Sequence, residues 1–310
     1  MDETLYNTTD VPTTTTDFDE YYSAYEQQMT LIYRIFLELY TVLSLVCLAA
    51  DILIIYVITK YRRLRNDKAN VILLNWAVLN TFFMITQPPT LRISFSWTDT
   101  WNSTMFCIAE QAEYTALTGN VLLIELLFIY WFLKVYYPTK CVKFEKHIRV
   151  ALGIFYLFLI FALAVHLEGC INRRYLALSE LVLLLLYLIF IVFMIIMNIT
   201  HFIKKRKLIQ TTVISNIPLI LCNVFFFSIV PMLTVIMIHF ITRIEHVTAL
   251  ILINISLILA VMNPIYFFVV LYKCDKNFKT FFGYIFSCQC RKYGDEMVEE
   301  TVVFNGDVQM

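Results

Sequence analysis

The sequence predicts an all-α membrane protein, a bundle of seven transmembrane helices followed by a short surface helix. Three observations predict it. Of 310 residues, 60% are hydrophobic and only 15% are charged, and the mean hydropathy is +0.71, outside the range of soluble domains. The apolar residues fall in long runs, and a helix needs about 20 of them to cross ~30 Å of hydrocarbon. The basic residues cluster between those runs in a one-sided pattern.

The spans read as 31–59, 70–94, 105–135, 148–167, 176–202, 210–240 and 246–272. The start, Met1-Asp2-Glu3-Thr4, has neither the basic nor the apolar region of a cleavable signal peptide, so the first span is expected to serve as anchor and targeting signal together. Four segments follow: an acidic, disordered arm over 1–30, the bundle over 31–272, an amphipathic surface helix with nearby cysteines over 273–290, and a short tail over 291–310. In the third segment Phe278, Phe281, Phe282 and Ile285 recur at helical spacing, as in a helix lying on a membrane.

Charge placement sets the expected orientation. Lys60 to Lys68, Lys134 to Arg149, Lys204 to Lys207 and the tail from Lys273 hold 19 of the 24 basic residues. Only Arg34, Arg92, Arg173, Arg174 and Arg243 fall on the other side. The positive-inside rule puts the lysine-rich side in the cytoplasm and the N-terminus outside, at a plasma or endosomal membrane. The glycosylation acceptors Asn7-Thr8-Thr9 and Asn102-Ser103-Thr104 both fall on the outer side.

Motifs inside the spans carry a family resemblance. Leu73-Leu74-Asn75-Trp76-Ala77-Val78-Leu79-Asn80 resembles the second-span motif of rhodopsin-like G-protein-coupled receptors, and Thr86-Gln87-Pro88 resembles the proline kink of chemokine receptors. Asn263-Pro264-Ile265-Tyr266-Phe267 is similar to the family's Asn-Pro-x-x-Tyr. With the Thr-rich acidic start, the pattern looks most like a diverged, virus-encoded chemokine-receptor homologue of herpesvirus or poxvirus type.

That resemblance implies a disulfide between Cys107 and Cys170, holding an outer loop against the third span in an oxidising compartment. Cys288 and Cys290 match palmitoylation sites, the other reading being unmodified tail thiols. The family's ligand-capturing arm corresponds to Asp17, Asp19, Glu20, Tyr21, Tyr22 and Tyr25, where an acidic arm would steer a basic protein. A solvated, glycosylated tail with no partner is the other reading. Tyr40 and Tyr114 stand where chemokine receptors place pocket aromatics, and Glu110 and Glu113 would add negative charge at the mouth. Plain packing also accounts for the two tyrosines.

The departures are as informative. The polar-core pair is exchanged: Asp51 stands for the family's first-span Asn, and Asn80 for its second-span Asp. Asn80 and Asn263 are expected to partner Asp51, because an acid inside a bundle needs hydrogen bonds. The other reading is loss of one motif beside an unrelated acid. Glu125 is a second intramembrane acid. Where the family offers Asp-Arg-Tyr to the G protein, the chain has Tyr130, Trp131 and Phe132. Span six keeps Pro231 but has Ile229 in place of the switch tryptophan, and Phe267 lacks the tyrosine hydroxyl.

The sequence therefore points to a cell-surface, receptor-like binder of chemokines or other basic proteins, with weak, atypical or absent G-protein coupling. The alternative is an interaction protein that binds no ligand but pairs with host membrane receptors and alters their traffic. Membrane lipid is a further expected partner. No motif for a nucleophile, metal, cofactor or nucleic acid is present, and an enzyme is not expected.

Overall fold

The computed structural model describes residues 15–95, 103–172, 176–205, 216–242 and 246–286, and every described element is α-helical. The order is α1 (Thr15–Lys60), α2 (Arg62–Asn66), α3 (Lys68–Phe95), α4 (Ser103–Tyr136), α5 (Pro138–Asn172), α6 (Leu176–Lys205), α7 (Ile217–Thr242), α8 (His246–Val261), α9 (Asn263–Cys274) and α10 (Lys276–Phe286). Among the described residues, six helical stretches are long and apolar enough to cross a membrane: Thr30–Lys60, Lys68–Gln87, Cys107–Tyr136, Pro138–Val165, Leu185–Lys204 and Ile251–Cys274. The apolar stretch of α7, Ile217–Met232, is shorter. The chain is thus a multi-span α-helical membrane protein.

The outward faces agree with that reading. On α5, Ile154, Leu157, Phe158, Ile160 and Phe161 are all exposed, with Leu157 and Phe161 at 67%. Apolar strips of this extent are unfavourable in water and natural against lipid tails.

Helix ends follow local chemistry. Tyr61 takes an extended conformation after α1. Asp67 then accepts the Ala69 amide at 3.1 Å and so caps α3. Asp275 stops α9 and starts α10: its Oδ1 accepts the amides of Asn277 and Phe278 at 2.8 and 3.3 Å. A turn at Met262 separates α8 from α9, which opens with Asn263-Pro264, where proline's missing N–H costs nothing.

In the bundle α3 packs between α1 and α4, while α7 touches α4, α8 and α9. At Gly119 α4 approaches its neighbours closely, because a Cβ there would meet the side chains of Leu79 and Leu159. Small residues let membrane helices approach in this way. Trp76 is fully buried at the centre, stacked on Phe267 at 4.2 Å with Phe225 edge-on at 6.4 Å.

Two elements add detail at the ends of the bundle. The helix of α1 begins at Thr15, within the segment read as the acidic arm. Acids early in that helix, at 17, 19 and 20, favour an N-terminus through its dipole. α10 forms where amphipathic spacing predicts it, but its apolar face turns into the protein. Phe278, Phe281 and Phe282 are buried, Phe281 stacks on Tyr61 at 3.7 Å and Phe282 meets Phe268 at 4.6 Å. Bundle aromatics thus cover part of that face.

Candidate functional site

Among the described residues, polar side chains gather at the centre of the bundle, towards the disulfide and at the lysine-rich end. At the centre, Asn80 Nδ2 donates to Asp51 Oδ2 at 2.7 Å, and Asn120 Nδ2 donates to Asn80 Oδ1 at 3.0 Å. Asp51, Asn80 and Asn120 come from α1, α3 and α4 and are almost fully buried. Asn80 is therefore the link between three helices. The expected bond from Asn263 to Asp51 is replaced by another. Ser228 Oγ donates to Asn263 Oδ1 at 2.7 Å, and Asn263 Nδ2 donates to the Ala260 carbonyl at 2.7 Å. A second polar link thus joins α7 to the start of α9, with Pro264 buried beside it.

Towards the other end, Cys107 and Cys170 are bonded, with Cα atoms 5.8 Å apart. Cys170 lies in the last turn of α5 rather than in a loop, so the bond ties two helix ends together. A cross-link over 63 residues restricts the unfolded chain by ~4 kcal/mol in chain-entropy terms. Membrane insertion already limits where those helix ends can go, so we expect the Cys107→Ser/Cys170→Ser variant to lose about 2–4 kcal/mol. Peptide mapping without reductant should recover the 107–170 pair; two free thiols would contradict the bond.

Below this disulfide Tyr114 donates to Glu110 Oε1 at 3.1 Å, one turn apart on α4. Glu113 lies near Tyr40 and Tyr187. Tyr40 is 1% exposed, and its hydroxyl has no hydrogen-bond partner among the described residues. The structure thus brings Tyr40, Glu110, Glu113 and Tyr114 into one region and adds Tyr187 from α6. Tyr187 also lines a cavity of about 110 Å³ that holds Glu125, between α4 and α6. An acidic, aromatic-lined region of this kind favours cationic groups.

At the lysine-rich end, a cavity of about 320 Å³ opens among Tyr130, Trp131, Lys134, Asp67, Asp275 and neighbouring apolar residues. Tyr130 and Trp131 are each 1% exposed, so they wall this cavity instead of projecting from the surface. Tyr130 donates to Glu145 Oε1 at 2.8 Å, and Trp131 packs edge-on against His201 at 5.0 Å. Lys134 pairs with Asp67 at 3.9 Å. Phe132 lies beneath the Lys204 ammonium at 5.2 Å, which also donates to Tyr137 Oη at 2.7 Å. That hydrogen bond and positive charge hold the Tyr137 phenol below its ordinary titration range.

Glu145, His201, Asn120 and Tyr187 were not anticipated from sequence, and Lys204 only as a member of the basic cluster Lys204 to Lys207. Asp17, Asp19, Glu20, Tyr21, Tyr22 and Tyr25 fall on α1, but their side chains lie outside what is described. Asn7, Asn102, Cys288 and Cys290 lie outside the described residues altogether. No protein-family model matches the chain, and no curated protein matches it in sequence.

Proposed function

We propose that the chain is a seven-span, receptor-like surface protein whose outer mouth and acidic arm bind basic proteins of chemokine type. In this reading α7 is the sixth of the seven spans, and α8 with α9 forms the last. The 26 residues of α7 rise ~39 Å as a helix, enough for the hydrocarbon layer even though its most apolar part is shorter. The N-terminus lies outside and the lysine-rich end in the cytoplasm, as basic-residue placement favours.

One observation carries the ligand reading: Glu110, Glu113, Tyr40, Tyr114 and Tyr187 share one region below the disulfide. Carboxylates inside a span are costly unless they serve a partner or a network. Glu110 has Tyr114, whereas Glu113 sits among phenol rings near another carboxylate. A basic side chain from a ligand would be stabilised there. Acidic residues of the arm would bring such a ligand in by long-range attraction.

The test is binding of a panel of basic chemokines to cells displaying the full chain or a form lacking residues 2–26. We expect the deletion to weaken binding by about tenfold or more at low salt, where charge steering is strongest, and less as salt rises. Equal affinity for both forms at every salt concentration would remove the arm from the reading. Surface display with no binding, but with altered traffic of a co-expressed receptor, would replace ligand capture with a membrane-pairing role.

A further inference from the structure

α5 is longer than a membrane requires. Its 35 residues rise ~52 Å, against ~30 Å of hydrocarbon. The excess at its N-terminal end carries Lys140, Lys143, Lys146 and Arg149, all exposed. The acid within those turns does not neutralise them, because Glu145 points inward. Its Oε1 accepts the Tyr130 hydroxyl at 2.8 Å and lies 3.8 Å from the Cys141 sulfur.

The face is also continuous with the lipid-facing surface. Lys140, Lys143 and His147 follow i, i+3, i+7, and the same stripe runs on through Val150, Ile154, Leu157 and Phe161. Those four are 59%, 63%, 67% and 67% exposed. At the basic end, Lys140 lies over the Tyr137 ring at 5.1 Å, and the same tyrosine receives the Lys204 ammonium. The stripe therefore presents ammonium groups at one end and a strip suited to acyl chains beyond them.

We propose that this face of α5 is a docking site for a polyphosphorylated lipid headgroup, with the acyl chains lying along Ile154, Leu157 and Phe161. Several lysines within three turns match a headgroup carrying several phosphates better than one carrying a single charge. The apolar continuation selects a lipid over a soluble polyphosphate, which would meet only the lysines. The inference rests on the cytoplasmic orientation proposed above, but not on ligand binding or G-protein coupling.

The test uses purified full chain in nanodiscs of phosphatidylcholine containing a small fraction of a bisphosphorylated phosphoinositide. Retained lipid is read by native mass spectrometry. The parent should retain the phosphoinositide in preference to phosphatidylcholine. Lys140→Gln/Lys143→Gln/Lys146→Gln should lower retention by about fivefold for each lysine removed, equivalent to ~1 kcal/mol per charge near an anionic surface. The matching Lys→Arg triple variant should retain it. Undiminished retention by the glutamine variant would overturn the site. So would an equal loss in Arg62→Gln/Arg63→Gln/Arg65→Gln on α2, which would indicate a general field over the basic surface. Equally tight binding of free inositol polyphosphate would overturn the lipid assignment. Because the readout is bound lipid in a purified sample, failure of chemokine capture or of membrane orientation in cells leaves it unaffected.

Discussion

Asn80→Ala is expected to lower stability by about 2–4 kcal/mol, a large effect for one polar side chain. Asn80 gives its amide to Asp51 and its carbonyl to Asn120, so the substitution removes two interhelical hydrogen bonds at once. Individual interhelical bonds in membranes contribute ~0.6 kcal/mol on average and up to ~1.7. Most of the expected loss comes from what remains. Asp51 and Asn120 are 0% and 1% exposed, and a buried polar group stripped of its partner costs ~1–3 kcal/mol. Asp51 is already exposed to that penalty on one side, since its Oδ1 has no partner among the described residues.

The complementary variant separates chemistry from packing. Asp51→Asn combined with Asn80→Asp restores an amide–carboxyl pair in the opposite order and should recover most of the stability lost in Asn80→Ala. Cys47, Cys141 and Cys222 are buried free thiols, so thermal unfolding can be followed by their reaction with a fluorogenic thiol reagent. The exposed Cys274 would react at the outset and set the baseline. If Asn80→Ala unfolds at the parent temperature, the three-helix link is not stabilising.

What could be read in the sequence, and what could not, follows from the physics of each feature. Spans were legible because ~30 Å of hydrocarbon demands an apolar run of fixed length, whatever the packing. The Asp51–Asn80 pair was legible because both residues occupy recognisable motif positions on their own helices. Asn120, Glu145, His201 and Tyr187 were not. Their roles depend on how each helix is rotated against its neighbours, and a run apolar on all sides carries no marker of rotation. The same ambiguity led Asn263 to be paired with Asp51, when Ser228 of α7 faces it instead. Cys170 was placed in a loop because the span seemed complete by 167, whereas hydrogen bonding continues the helix to Asn172. Length rules find where a membrane ends, and a helix can continue past it.

The last expected result is that agonist-driven nucleotide exchange on G proteins stays near the background of empty membranes. Receptors of the family that the motifs resemble present an arginine at the inner end of the third span, restrained at rest by a neighbouring acid. Here Tyr130 and Trp131 occupy those positions on α4, and both are held by neutral or inward-facing contacts. Tyr130 is bonded to Glu145 of α5, and Trp131 packs against His201 of α6. Neither supplies a charge-assisted hydrogen bond to an incoming helix. Of the cations beside these two residues, Lys134 pairs with Asp67, and Lys204 sits among Phe132, Tyr136 and Tyr137. Deeper in the bundle Ile229 and Phe267 are buried as packing groups, and Phe267 stacks on Trp76 without a hydroxyl to exchange partners. Coupling requires an element with two arrangements that ligand and effector both bias. Phe267 and Trp131 are both held by packing contacts, without a charged or hydroxyl group to exchange between two arrangements. The measurement is nucleotide exchange with purified protein, a bound basic ligand and a panel of G proteins, comparing the parent with Trp131→Ala. Exchange near background in both is the expected result. Robust exchange in the parent that disappears in Trp131→Ala would overturn it and make the aromatic a working substitute for the missing arginine.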